Sequence, residues 1–436
     1  MKRNPNFPFA PAKVPFFYGW ISMAAGTIGV LCSIPGQTIG VSVFTDYLID
    51  ELQLNRDALS TAYLIGTVAS STILTYAGKI YDKFGARFTA IIAALTLAIT
   101  LMLFSASTGI ASGLSKTFSI KYSVVSFAMV SLFFFLLRFS GQGVLTLASR
   151  NLIMKWFDKR RGLANSISSA IQSFGFAVAP LFIAMLIGEF DWRGAYQILA
   201  ILTLLFVVFA FIVYRDNPEE CGLIPDGKVL EVKSKNNTSF TPKRDYTLPE
   251  ARSTWVFWIF ALALCFSAFF VTGFTFNVIS IFDSCGYSEQ KALSVFIPTS
   301  IVSIITAFAG NILSDYMRLQ KILLVYLLGC LLSALGVAIL NYPMGYYILI
   351  LGNGVMGGLF AVLASLTWPR FFGRKHLGAI SGLSMSLIVF ASAIAPLFFS
   401  RIYTLTGNYF LAGYIGVAIV VVLLLLSGKA KNPQMN

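Results

Sequence analysis

The stretch Gly78-Lys79-Ile80-Tyr81-Asp82-Lys83-Phe84-Gly85-Ala86-Arg87 decides how this chain is read. It closes the second of about twelve apolar segments. A glycine, a carboxylate four residues later and a short basic run make a compact charged turn between two helices. A fainter echo stands in the second half: Asp315 follows Asp82 at an offset of 233 residues, with Asn311 in place of the glycine and only Arg318 and Lys321 nearby. Such a turn reads as a conformational latch more readily than as a catalytic site. Gly85 is expected to supply a positive φ in it.

Apolar residues make up 57% of the 436, charged residues 11%, and 40 are phenylalanine, a composition that excludes a soluble globular chain. The solvent is lipid. A crossing helix needs roughly 20 mostly apolar residues. On that measure spans 1 to 6 fall near 17–45, 57–77, 87–106, 122–147, 162–188 and 193–214, and spans 7 to 12 near 253–282, 290–313, 321–340, 344–367, 377–400 and 408–427. The net charge of +14 follows the same frame: 25 of the 32 Lys and Arg lie on the even-numbered connections and the termini, against 6 on the odd-numbered connections. By the positive-inside rule both termini are expected in the cytoplasm, and the excess records topology and anionic headgroups rather than a nucleic acid. The first apolar segment is too long for the core of a cleavable signal and is expected to remain as a helix. Cysteines 32, 221, 265, 285 and 330 have no metal or redox spacing and read as small core residues. Asn236 and Asn237 head glycosylation sequons, but the charge count puts them on the cytoplasmic side.

The chain also repeats. Gly162-Leu163-Ala164-Asn165, followed by Ala179-Pro180-Leu181-Phe182, matches Gly378-Ala379-Ile380-Ser381, followed by Ala395-Pro396-Leu397-Phe398, at a constant offset of 216. The 17 residues separating the two offsets are assigned mostly to the longer connection at 107–121. The expected organisation is a bundle over 1–214, a polar cytoplasmic linker over 215–252 carrying Lys228, Lys233, Lys235, Lys243 and Arg244, and a second bundle over 253–436. Duplicated six-helix halves are what a binding site on a pseudo-two-fold axis requires.

These pieces resemble the major facilitator superfamily. Gly78 to Arg87 is similar to its loop signature, Arg138-Phe139-Ser140-Gly141-Gln142-Gly143 to its fourth-helix arginine motif, and Pro180 to its fifth-helix proline. Tyr18-Gly19-Trp20, Pro35-Gly36-Gln37-Thr38, Lys155-Trp156-Phe157-Asp158-Lys159-Arg160-Arg161-Gly162 and Pro218-Glu219-Glu220-Cys221-Gly222-Leu223-Ile224-Pro225-Asp226-Gly227 look like its monocarboxylate and oxalate/formate antiporter-like branch. The resemblance implies an all-α integral membrane fold of twelve transmembrane helices in two pseudo-symmetric six-helix bundles, working by alternating access. Ala86 and Phe88 around Arg87 depart from the signature, which usually has adjacent basic residues there.

Candidate gating residues are Gly78, Asp82, Gly85, Arg87 and Asp315. Asp82 is expected to accept bonds from the amino end of a helix in the same half or to pair with Arg87 or Arg150. Arg138 is the one ionised side chain expected deep inside a span, and burying it costs from about 2.5 kcal/mol upward. It reads either as a group that attracts a carboxylate substrate or tunes proton movement, or as a pin that bonds helix backbone carbonyls between spans 1 and 4. Gln142 and Thr146 continue its face. Gln37 and Thr38 on span 1, with Ser33 and Ser42, and Asn277 on span 7, with Thr272, Thr275 and Ser280, are candidate cavity-lining groups. Asn165, Ser168, Ser169 and Gln172 on span 5 read as packing groups. Gly352, Gly354 and Gly357 match a dinucleotide fingerprint but sit inside an apolar helix, where close packing explains them. No phosphate-binding loop, catalytic cluster, metal set or cofactor motif is present, and His376 faces headgroups in a basic loop.

No Asp or Glu lies in the middle of a span; Asp46 and Asp283 stand at outer ends. Spans 8 and 11 lack the basic residues of the oxalate carriers, which argues against a dicarboxylate held between two cations. The expected substrate is a small monocarboxylate-like organic anion, moved across a bacterial inner membrane by a monomer, with any coupling ion or counter-substrate left open. Efflux of hydrophobic or amphipathic compounds through a phenylalanine-rich cavity is the alternative.

Overall fold

The structure is a computed structural model, and it describes residues 6–227 and 244–435. Lys228, Lys233, Lys235, Lys243 and the sequons at Asn236 and Asn237 lie outside the described residues. Among those described, every regular element is helical, and nine helices are long and apolar enough to cross a membrane. Two of the nine are double. Arg56–Ser105 has 50 residues and Arg161–Val213 has 53, so each measures about 75–80 Å along its axis, against a hydrocarbon core of about 30 Å. Each is broken where the backbone leaves the helical region: Gly85 at φ 83° and Asp191 at φ 62°. Spans 2 and 3 therefore meet at Gly85, and spans 5 and 6 at Asp191. With the shorter apolar helix Gly19–Cys32, the crossings number twelve.

Span 1 is not the continuous helix expected over 17–45. Gly19–Cys32 gives way to a tight turn at Ile34–Gly36 and then to Thr38–Ser42 and Thr45–Glu51. Pro35 removes a backbone donor there. Span 7 breaks in a similar way: Trp255–Phe276 stops at Asn277 and Val278–Asp283 continues. Other spans run further than hydropathy indicated. Span 4 extends through Trp156 and span 10 covers Pro343–Phe372, which places Arg150, Lys155 and Arg370 on helices rather than in loops. The long connection after span 3 holds a helix of its own, Ser107–Phe118.

The described residues fall into two compact units. The first takes in Met1–Asp158, Ile171–Val232 and Ser381–Ser386; the second takes in Lys159–Ala170, Lys233–Ile380 and Leu387–Asn436. The first packs around buried aromatics, including Trp156, Trp192 and Phe104, with Phe44 and Tyr196 stacked at 3.9 Å. Phe174, Leu181, Ile297, Leu405 and Leu425 are each at least 72% exposed. Large apolar side chains turned outward from apolar helices mark a multi-pass membrane protein, because lipid rather than water meets them.

Carboxylates on either side of residues 228–243 cap two repeat-equivalent turns. In the first unit an Asp226 carboxylate oxygen accepts the Asp158 N–H at 3.0 Å, in the turn between spans 4 and 5. In the second, Asp245 accepts the N–H groups of Arg374 at 2.8 Å and Lys375 at 3.1 Å, in the turn between spans 10 and 11.

Candidate functional site

Span 4 carries an internal irregularity. Arg138–Leu145 forms a π-helical segment between Tyr122–Leu137 and Thr146–Trp156. Such segments recur at functional sites, since each bulge adds a residue to a turn and re-aims the side chains beyond it. Gly36 and Gly141 bring spans 1 and 4 into backbone contact here: a Cβ on Gly141 would stand 2.8 Å from the Gly36 Cα. Arg138, 2% exposed, donates from Nη1 to the Gly36 carbonyl and to Thr38 Oγ1, both at 3.2 Å. Its guanidinium lies 5.1 Å from the centre of the Tyr63 ring, and the Tyr63 hydroxyl reaches Thr38 Oγ1 at 2.9 Å. Arg138 forms no ion pair among the described residues, and its Nε is buried without a partner. Gln142 Oε1 is likewise buried and unpartnered. Gln37 Nε2 donates to Ser33 Oγ and Thr146 Oγ1, both at 3.1 Å.

Arg138 thus both pins span 1 and keeps an unneutralised charge. The arrangement gathers Arg138, Thr38, Gln37 and Thr146 as the sequence suggested. It adds Tyr63, which sequence reasoning missed; a tyrosine inside an apolar span, whose hydroxyl needs a partner, was the available signal. Asn277 is engaged locally, its Nδ2 donating to the Gly273 carbonyl at 2.9 Å, while Ser280 Oγ meets the Tyr409 hydroxyl at 2.9 Å.

A second constellation lies where Lys and Arg collect. Asp315 Oδ1 accepts Arg370 Nη2 at 2.7 Å and the Gly162 N–H at 3.1 Å, so one carboxylate holds a cation and the amino end of span 5. Arg370 Nη1 also donates to the Ser314 carbonyl. One turn away, Asn165 Nδ2 donates to Asn311 Oδ1 at 2.7 Å. In the first unit, the equivalent of Asn311 is Gly78, against which Gly382 packs: a Cβ on Gly382 would lie 3.2 Å from the Gly78 Cα. Arg370 was also missed, because hydropathy ends span 10 before Trp368-Pro369-Arg370 and leaves it among loop cations.

The expected pairing of Asp82 with Arg87 or Arg150 is not what the side chains do. Gly85 has the expected positive φ, and its turn sends Arg87 toward the end of span 6. There the Arg87 N–H reaches Asp216 Oδ1 at 2.8 Å and Nε reaches the Tyr214 carbonyl at 2.6 Å. Asp216 packs directly on Gly85, where a Cβ would collide with its carboxylate. Arg150 has neither an ion pair nor a hydrogen bond among the described residues. The glycines of span 10 serve packing: a Cβ on Gly354 would stand 2.5 Å from Val302. Among the described residues no group of His, Cys, Asp and Glu is arranged to hold a metal ion.

Comparison with known proteins gives the same fold. FucP, solved in an outward conformation and described as a Major Facilitator Superfamily transporter, superposes with a TM-score of 0.66 at 15% identity, covering 94% of this chain and 98% of its own. An uncharacterized Bacillus subtilis transporter, YybO, is 20% identical over 91% of both chains. The hexuronate transporter of Bacillus subtilis is 22% identical over 86% of this chain and 87% of its own. The probable sulfoacetate transporter SauU of Cupriavidus necator is 20% identical over 90% of both. These neighbours do not single out the monocarboxylate and oxalate/formate branch. The profile of the Major Facilitator Superfamily matches residues 26–396, and the chain, a membrane transporter of small solutes rather than an enzyme, belongs to that family.

Proposed function

We propose that the protein moves a small organic anion, a sugar acid or a short sulfonated or simple carboxylic acid, by alternating access, with Arg138 as its anion-binding group. One observation carries the reading: among the described residues Arg138, buried in a span, is bonded only to neutral oxygens and an aromatic face, with no carboxylate to balance it. A buried cation without a counter-charge is costly, and a substrate carboxylate or sulfonate supplies the missing charge. The names of the hexuronate and sulfoacetate transporters, both organic anions, support this class. Gln37, Thr38, Gln142 and Tyr63 orient the anion beside Arg138, and Asn277 is a further substrate-binding residue of the second unit. In the gate, Asp315 holds Arg370 and the start of span 5, and Asp82, its repeat equivalent, works at the matching place with Gly78 and Gly85. Arg87 braces the turn to span 6. The basic ends of the helices, and with them both termini, face the cytoplasm.

Uptake of labelled D-glucuronate and sulfoacetate into proteoliposomes tests the reading. Arg138→Gln should lower kcat/KM for the transported acid by about 10- to 150-fold, the weight of a hydrogen bond to a charged group, and Arg138→Lys should lose less. Unchanged affinity in Arg138→Gln removes the anion-binding role.

A further inference from the structure

We propose that Arg150 is a second anion subsite on span 4, which receives the substrate's acid group on its way between Arg138 and the basic end of the helix. The inference rests on the anion reading above. Every residue from Gly143 to Phe157 is buried except Arg150. Its neighbours are spoken for on both sides: Ser149 Oγ meets the Tyr214 hydroxyl at 3.0 Å, and Asn151 Nδ2 donates to Ser381 Oγ at 2.8 Å. One turn on, Lys155 lies over the Tyr81 ring at 4.8 Å. Span 1 covers the Ser149 and Ile153 side, since a Cβ on Gly26 would stand 2.7 Å from both the Ser149 carbonyl oxygen and Ile153. Arg150 is therefore the one residue of this stretch that is not fully buried, and it has neither an ion pair nor a hydrogen bond among the described residues.

The π segment puts the two arginines in line. In an unbroken α-helix, residues twelve apart stand about 120° apart around the axis. One extra residue in a turn takes back about 100° of that, which returns Arg150 to within about 20° of the Arg138 face and about 16–17 Å further along the helix. Two separated cations, neither neutralised by protein, give a moving anion successive weak sites, and release requires that none be too tight. Sequence reasoning missed this pairing because hydropathy ends span 4 before Arg150, and a π segment has no signature in the sequence.

The test uses the purified full chain in detergent and in proteoliposomes, with sodium sulfate as the anion probe and sodium chloride at matched ionic strength as control. Thermal unfolding is measured for the native protein, Arg138→Gln, Arg150→Gln, Arg150→Lys and the Arg138→Gln/Arg150→Gln double variant. Removing an unbalanced cation should raise the Tm of Arg150→Gln in sulfate-free buffer by at least about 2 °C. Sulfate should raise the native Tm, each single Gln variant should lose part of that response, Arg150→Lys should keep it and the double variant should lose all of it. In proteoliposomes Arg150→Gln should lower the turnover of D-glucuronate about tenfold. An Arg150→Gln protein that melts lower, fails to fold, or answers sulfate as the native protein does overturns the proposal. If the native protein transports no acid while the sulfate pattern holds, the transport reading fails and the Arg150 site stands.

Discussion

At the scale of single residues, the chemistry concentrates on side chains whose charge or hydroxyl has few alternatives. Tyr63 gives Arg138 an aromatic face and holds Thr38 Oγ1 at 2.9 Å. Tyr63→Phe keeps the face and loses the hydroxyl, so, on the proposed function, KM for the transported solute should rise about fivefold, the weight of one neutral hydrogen bond, with little change in Tm. An unchanged KM would exclude the hydroxyl from the site. Cys221 tests the described end of the linker: burial pushes its thiol from 9.0 up to about 11, so alkylation by N-ethylmaleimide at pH 7.5 should run about 100-fold slower than for an unperturbed thiol. Rapid labelling of the folded protein would contradict that packing. Arg138 was legible in the sequence because a charge inside an apolar run has no inexpensive explanation. Tyr63 was legible only as a hydroxyl in need of a partner; the sequence does not say that the partner is Thr38, 25 residues away.

At the scale of elements, hydropathy located the helices and misjudged where they stop. Apolar counting ends a span where the run of apolar residues gives out, yet a helix continues while its backbone bonds are satisfied, which is why Arg150 and Arg370 read as loop residues by hydropathy. The break in span 1 was written in Pro35 and Gly36 and was passed over because the apolar run continues beyond them. The turn at Gly85 was legible from glycine's freedom at positive φ; its Asp216 partner was not, since 131 residues separate the two. The Gly36–Gly141 crossing is the tightest constraint on the span 4 segment. Gly141→Ala should destabilise the first unit by about 1–3 kcal/mol through overpacking, seen as a Tm lowered by several degrees, and a Tm equal to native would show that the two backbones separate freely.

For the whole molecule, the duplication was the most legible feature, because the 216-residue offset runs without a gap through the start of span 5 and its copy in span 11. What the repeat did not disclose is how far the two copies have diverged. The position of Arg370 is Met154 in the first copy, and Asn311 replaces Gly78, so the Asp315 cluster is salt-bridged in a way its counterpart cannot duplicate residue for residue. Asp315→Asn should cost about 1–3 kcal/mol, because it leaves the buried Arg370 without its charged acceptor, and the added change Arg370→Met should recover much of it. Calorimetry of the two variants measures this, and a double variant no more stable than Asp315→Asn would deny the coupling.

The caps formed by Asp226 and Asp245 imply something about chain continuity. Each carboxylate secures a turn of its own unit, so neither depends on the peptide that joins them. Two separately translated fragments, divided after Gly227 and before Arg244, each keep their own cap, while Lys159–Ala170 of the second unit stays on the first fragment and Ser381–Ser386 of the first unit on the second, so each unit is complete only when both are present. Co-expressed in one cell, they should associate and restore uptake without a covalent link.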